Sequence, residues 1–314
     1  MKLYQLRALI VVAETGSMHE ASRVLHISQP AVSKALSDLE ADLGAPLLTR
    51  SAKGAQLTSF GQSLIRHARA IEHEIRHARE DIETLLGAVL GTLTIGVTPV
   101  TSVGPFADAL RRFTDAHPDV TINVMELRPM QIRESLADGS IDFAVMSRIG
   151  EPDDSRFYWE PFYTTSNHIA VRSDNPLPSV NSLADLVDFR WLSLDRPDDA
   201  TGLIGTLFDA QGVEPPTKVL RCMSTGLYVE LATTTNLISV WGAPAFQLPY
   251  LEGRLRKIAL REPIPDLVVG LTCRDIELVT KLSATFIDMI RSACKSLAAP
   301  YRRGDGRAKR RTTK

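Results

Sequence analysis

His73-Glu74-Ile75-Arg76-His77 carries more potential chemistry than any other short run of this chain. Two histidines one helical turn apart, with a glutamate after the first, match the HExxH signature. There the imidazoles bind zinc and the carboxylate activates water. The surrounding periodicity argues against that use. Leu64, Ala68, Ile71, Ile75, Ala78, Ile82 and Leu85 alternate spacings of four and three residues, a heptad seam. Ile75 lies on the seam, which puts His73 and His77 on the outer side of the helix, and no third ligand stands out. The expectation is solvated histidines and no metal. Cys222, Cys273 and Cys294 are far apart and form no CxxC pair, so they read as thiols in or near a core. The chain has no GxSxG elbow, no GxxxxGK loop and no dinucleotide-binding fingerprint. Neither an enzyme nor a cofactor is expected.

A second constellation lies in the first sixty residues. Leu3, Leu6, Ile10 and Ala13 have helical spacing, and Gly16-Ser17 breaks the pattern. Ser17, with Glu20 three positions on, is a capping-box start for a helix over about 18–25, with Ala21, Val24 and Leu25 inward. His26-Ile27 makes a tight turn. Ser28 caps a third helix with Pro30 in its first turn. Ala31, Val32, Ala35, Leu36, Leu39 and Leu43 form its inner face, and Gly44 ends it. Two short helices joined by a tight turn form a helix-turn-helix, whose second helix presents its N-terminal residues to base edges in a major groove. Gln29 suits adenine and Lys34 suits guanine. Residues 46–50 and 55–58 read as two strands around a turn at 51–54, with Gly54 suited to positive φ. Arg50 and Lys53 on this wing are placed for phosphates or a minor groove.

The run ASRVLHISQPAVSKALSDLEADLGAPLLTRSAKGAQLTSFGQ resembles the DNA-binding region of the LysR-type transcriptional regulators. The resemblance implies that Gln29, Pro30, Ser33 and Lys34 lie at the groove and that Ser17, Ser28, Arg50 and Thr58 contact the DNA backbone. For Ser28 and Pro30, shaping the helix start is the competing role. The seam from Leu64 to Leu85 is too narrow to be buried within one domain, so it reads as a dimerisation helix, giving two recognition helices and a dyad-related operator. The resemblance favours an antiparallel pairing.

After Gly87 and Gly91 the texture changes. Strands at 93–97, 120–124 and 142–146 alternate with helices at 103–116 and 130–138, which argues a parallel α/β sheet. Further strands are expected at 167–172, 218–222, 237–241 and 267–273, and helices at 182–187, 201–211, 225–233 and 276–297. The stretch TLTIGV…F….PDV.I.V.E…..I…L.DG.IDFAVM again resembles the LysR-type family, in its effector domain. That domain is similar to periplasmic binding proteins, with two lobes around a cleft and chain crossings near 163–166 and 265–269.

The expected fold class is therefore α plus α/β: an N-terminal winged helix-turn-helix, a long dimerisation helix and a two-lobed, periplasmic-binding-protein-like effector domain. The expected domains are 1–60 for DNA binding, 61–91 for linker helix and hinge, and 92–297 for the effector. Lobe I takes about 92–163 and 269–297, and lobe II about 164–268. Residues 298–314 form a basic tail. The cleft should lie at strand C-termini, where helix N-termini point inward. Thr98, Val100, Thr101 and Ser102 follow the first strand as an anion site, with ordinary helix capping as the other role. Arg128 follows the second strand, where many family members have a small hydroxyl residue, and can hold a carboxylate or sulfonate; a surface arginine is the alternative. Met146 and Ser147 end the third strand. Thr201 and Thr225 start helices that can line the cleft, while Asp198 and Asp199 complicate the anion reading.

Bulk composition fits a globular protein, with 44% hydrophobic and 23% charged residues. The net charge of −1 gives no overall attraction to nucleic acid, but residues 300–314 hold seven basic residues against one acidic. No signal-peptide pattern or membrane-length apolar stretch is evident, so a cytoplasmic bacterial regulator is expected. Its partners would be double-stranded DNA and a small-molecule effector, as a homo-oligomer, dimer or tetramer. The alternative is an architectural DNA-binding protein without a ligand.

Overall fold

The computed structural model describes residues 1–51, 54–86, 91–150, 154–195 and 202–295. It opens with α1 (Leu3–Thr15), α2 (Met18–Leu25) and α3 (Gln29–Leu43), followed by the hairpin β1 (Leu48–Ser51) and β2 (Gly54–Leu57). Each start and stop has a local cause. Ser17 and Ser28 accept the backbone N–H groups of Glu20 and Ala31. Gly16 and Gly44 close α1 and α3 in the left-handed region. His26, at φ 54°, is the one non-glycine in that region among the described residues, and makes the turn between α2 and α3. Leu6, Leu9, Val12, Ala21, Val32, Leu36, Leu39 and Leu47 bury together. Val24 and Leu43, read as inward from spacing alone, are exposed. Each sits at a helix end, where no neighbouring element covers it.

The helix α4 runs from Ser59 to Leu85. It packs Ile65 and Ala68 into the core of the first three helices, with Leu64 and Ile71 beside them. Part of the seam is therefore buried within its own chain. The other face of α4 corrects the sequence reading more sharply. His73 and His77 are buried, not solvated. They are covered by α6 (Pro129–Asp138) and by Asp142, which immediately precedes the strand β5 (Phe143–Arg148). Gly139 ends α6 at φ 75°, and a Cβ there would stand 2.6 Å from that of His73. A glycine thus allows the helix to approach. Burial, and next the neighbouring His77, push the His73 imidazole down to about 3.

The C-terminal domain places β3 (Thr92–Val97), β4 (Thr121–Glu126), β5, β6 (Tyr158–Thr165) and β12 (Leu267–Cys273) in one sheet, ordered β4-β3-β5-β12-β6. The sheet is mixed rather than parallel. β3 pairs in parallel with β4 and β5, but β12 runs antiparallel to β5 and β6. β6 leads out of this lobe and β12 leads back into it, so their directions oppose. Every residue of β12 is buried, the polar Thr272 included, so its segment from Leu267 to Leu271 is apolar without alternation. α5 (Pro105–Ala116) and α9 (Lys281–Cys294) cover the sheet through Phe106, Phe113, Phe286 and Ile290. The second lobe holds β7 (Asn167–Arg172) between β10 (Ser239–Gly242) and β11 (Leu255–Lys257), both antiparallel to it. A parallel pair, β8 (Trp191–Ser193) and β9 (Val219–Arg221), lies beside them with α7 (Leu203–Asp209) and α8 (Thr225–Thr234).

The helix expected at 182–187 is a 3-10 turn at Ala184–Leu186. The one expected at 276–297 divides into a 3-10 turn at Ile276–Leu278 and α9, whose start Thr280 caps. β6, β8 and β11 had no strand assignment from the sequence. β8 and β11 are three residues each, too short for a period to show.

Candidate nucleic-acid interface and effector cleft

The start of α3 presents Gln29, Pro30 and Lys34 to solvent, with Ser33 half-buried beside them. The opposite side of the helix is anchored by Val32, Ala35, Leu36 and Leu39. A rigid helix with its first turns uncovered is the geometry of a recognition helix. Ser17 and Ser28 each accept a backbone N–H, which leaves their hydroxyl protons to donate elsewhere. Thr58 differs. Its hydroxyl donates to the carbonyl of Pro46 at 2.6 Å and accepts from Gly61 at 3.1 Å. Its single proton is therefore spent on the segment ahead of β1, while its oxygen caps the start of α4. In the wing, β1 and β2 pair from Leu48↔Leu57 to Ser51↔Gly54. Lys53 and the side chain of Arg50 lie outside the described residues.

The cleft is a cavity of about 90 Å³ between the lobes, walled by Val100 and Val103 on one side and by Thr225, Tyr228, Val240 and Tyr250 on the other. Val100 lies so close to Gly242 that a Cβ there would meet its Cγ1 at 3.0 Å. The expected polar lining is distributed differently from the sequence reading. Thr98 and Thr101 are buried and occupied inside lobe I. Thr101 donates to the Val145 carbonyl at 2.7 Å, and Thr98 pairs with Ser147 at 3.1 Å. Ser102 lines the cavity but bonds the Pro99 carbonyl at 2.7 Å. Met146 is buried in the small core around Ile132. Arg128 lies at the cleft mouth and donates to the Met223 carbonyl across the lobes at 3.3 Å. Beside it, the Thr225 hydroxyl donates to Glu126. Glu126 was missed from the sequence, although its place at the end of β4, two residues before Arg128, was a usable signal. Thr201, Asp198 and Asp199 lie outside the described residues.

Residues 3–62 match the bacterial regulatory helix-turn-helix protein family, lysR type, and residues 63–295 match the LysR substrate binding domain. The chain belongs to the LysR family. It is a DNA-binding transcription regulator with an effector-binding domain, not an enzyme. The HTH-type transcriptional regulator GbpR of Azospirillum brasilense is 29% identical over 251 residues, covering 79% of this chain and 73% of that one. Two solved LysR-family structures show the same fold. Full-length CbnR in complex with its target DNA is 22% identical with a TM-score of 0.63, covering 93% of this chain and all of that one. Full-length LysG of Corynebacterium glutamicum with bound effector Arg is 20% identical with a TM-score of 0.65, covering 96% of this chain and all of that one. LysR regulators bind DNA and small-molecule effectors. No helix among the described residues is long and apolar enough to cross a membrane.

Proposed function

We propose that this LysR regulator reads its operator with Gln29, Ser33 and Lys34, supported at the backbone by Ser17, Ser28, Arg50 and Lys53. A small effector carrying a carboxylate or sulfonate then controls it from between the lobes. The contacts across the cleft mouth, Arg128 to Met223 and Thr225 to Glu126, carry this reading. An anionic ligand that takes Arg128 competes with a contact between the lobes. It therefore binds their closed and open arrangements unequally, as any effector must to shift an equilibrium. The cavity's apolar wall suits a compact hydrocarbon body, and Glu126 disfavours a ligand with a second anionic group at that end. The domains divide near residues 60, 91 and 297, the oligomer forms through α4, and the protein works in the bacterial cytoplasm.

The test is a footprint on DNA upstream of the protein's own gene, at stated salt, with and without a panel of small carboxylates and sulfonates. Two dyad-related protected half-sites, lost on Lys34→Ala, support the DNA reading. An acid that changes the footprint for the wild type but not for Arg128→Ala supports the cleft reading. A footprint indifferent to every acid, with no saturable binding by calorimetry, would leave an architectural DNA-binding protein.

A further inference from the structure

The function of a LysR regulator makes no use of the HExxH run, yet the fold builds something from it. His73 and His77 are one turn apart on α4 and face the same way, with ring centroids 3.8 Å apart. Asp142, from the other domain, meets them. His77 Nε2 stands 2.7 Å from Asp142 Oδ1, and His73 Nε2 stands 3.7 Å from the same oxygen. All three residues are buried, and their donor atoms lie within 4.8 Å of one another. The carboxylate is also held from behind, because Oδ2 accepts the Thr94 backbone N–H at 2.6 Å. Two imidazoles and one oriented carboxylate form a nitrogen-rich donor set suited to zinc-class ions, with a fixed outer partner of the kind such sites use. Tetrahedral zinc holds its ligand atoms about 3.3 Å apart, between the two separations from Asp142. A cavity of about 360 Å³, lined by these residues with Phe157, Arg274 and Val279, reaches the cluster and leaves room for a water as fourth ligand.

We propose that His73, His77 and Asp142 form a binding site for one divalent cation of the zinc class, fastening the linker helix to the first lobe of the sensor. Arg76 is its competitor. The guanidinium donates to His73 Nδ1 at 2.7 Å and lies 3.6 Å from Asp142 Oδ1, supplying the positive charge the ion would bring. Arg76 is about half exposed, and Glu80 lies one turn along at 3.8 Å. The cation enters as Arg76 swings out towards Glu80. The glutamate of the motif has another task. Glu74 pairs with Arg274 at 3.2 Å, so it is not poised to activate water, and the site is a fastening rather than a hydrolytic centre. An ion there ties the helix that carries the DNA-binding domain to the strand layer that carries the cleft. This proposal stands independently of the effector reading.

The experiment is titration of chelator-stripped, full-length protein with cobalt(II), followed by zinc displacement. One equivalent of cobalt per chain with the visible bands of a tetrahedral site, lost on adding zinc, is the expected result. No saturable spectrum with the wild type overturns the proposal. In folded His77→Gln and Asp142→Asn, checked by circular dichroism, the spectrum should disappear; a spectrum that persists in either places the ion elsewhere and overturns it as well. Arg76→Gln should bind zinc at least tenfold tighter, and unchanged affinity would refute the competition by Arg76.

Discussion

A hydroxyl has one proton, and where it goes separates two kinds of serine and threonine in the DNA-binding domain. Ser17 and Ser28 cap their helices as acceptors, which leaves each hydroxyl proton available to donate. Thr58 has spent its proton on Pro46. Thr58→Val should therefore lower stability by about 1–2 kcal/mol, measured by urea unfolding, while operator affinity of the folded variant changes little. A tenfold loss of affinity with unchanged stability would return Thr58 to the interface. The cysteines give a second residue-scale prediction. Burial pushes the Cys273 and Cys294 thiols up to about 12, so neither forms appreciable thiolate near neutrality. A raised value favours the neutral thiol, so native labelling of both by iodoacetamide should stay negligible from about pH 7 to 9. In denaturant both should react. Fast labelling of either in the native protein would show that the burial is not maintained in solution.

α4 is the element whose pattern was easiest to see and easiest to misassign. Its limits, 59–85, enclose the seam from Leu64 to Leu85 read from the sequence. Its heptad seam implied one partner, but the fold gives it several. Ala68 and its neighbours meet the DNA-binding core, and His73 and His77 meet the sensor. Ile82, Leu85 and Leu86 are left in solvent, at 58, 64 and 81% exposure. A heptad count records which residues share a side of the helix. It does not record whether the opposite side, here polar and aromatic, is also covered. The exposed end is where the second copy proposed for this helix would gain most by burial. Ile82→Glu with Leu85→Glu should shift the oligomer towards monomer in light scattering at micromolar protein, without loss of helicity. An unchanged mass would move the interface off this end of the seam.

At the scale of the whole molecule, charge is arranged so that net charge conveys little. The basic tail at 298–314 lies outside the described residues, but its composition supports a prediction. Deleting it should weaken binding to random DNA and flatten the dependence of log affinity on log salt, because fewer counterions are released. The dyad footprint should remain. Anisotropy titrations over a salt series check this, and an unchanged slope would make the tail a bystander.

The sequence by itself determined the helix-turn-helix, the linker helix, the alternating sensor and the family, because each rests on short-range rules. Caps, periods and turn residues act over a few positions, and Ser28, Gly44 and the run through β12 behave in the structure as those rules require. Only the tertiary structure decided what meets across distance. Asp142 lies 65 residues from His77, and Glu126 lies 99 residues from Thr225. No local period encodes either pairing. The same distance effect moved Thr98 and Thr101 from expected cleft lining to internal hydrogen bonds, and His73 and His77 from a solvent face to a buried one. Packing between elements sets which face of an amphipathic segment is covered, and that is a property of the assembled chain.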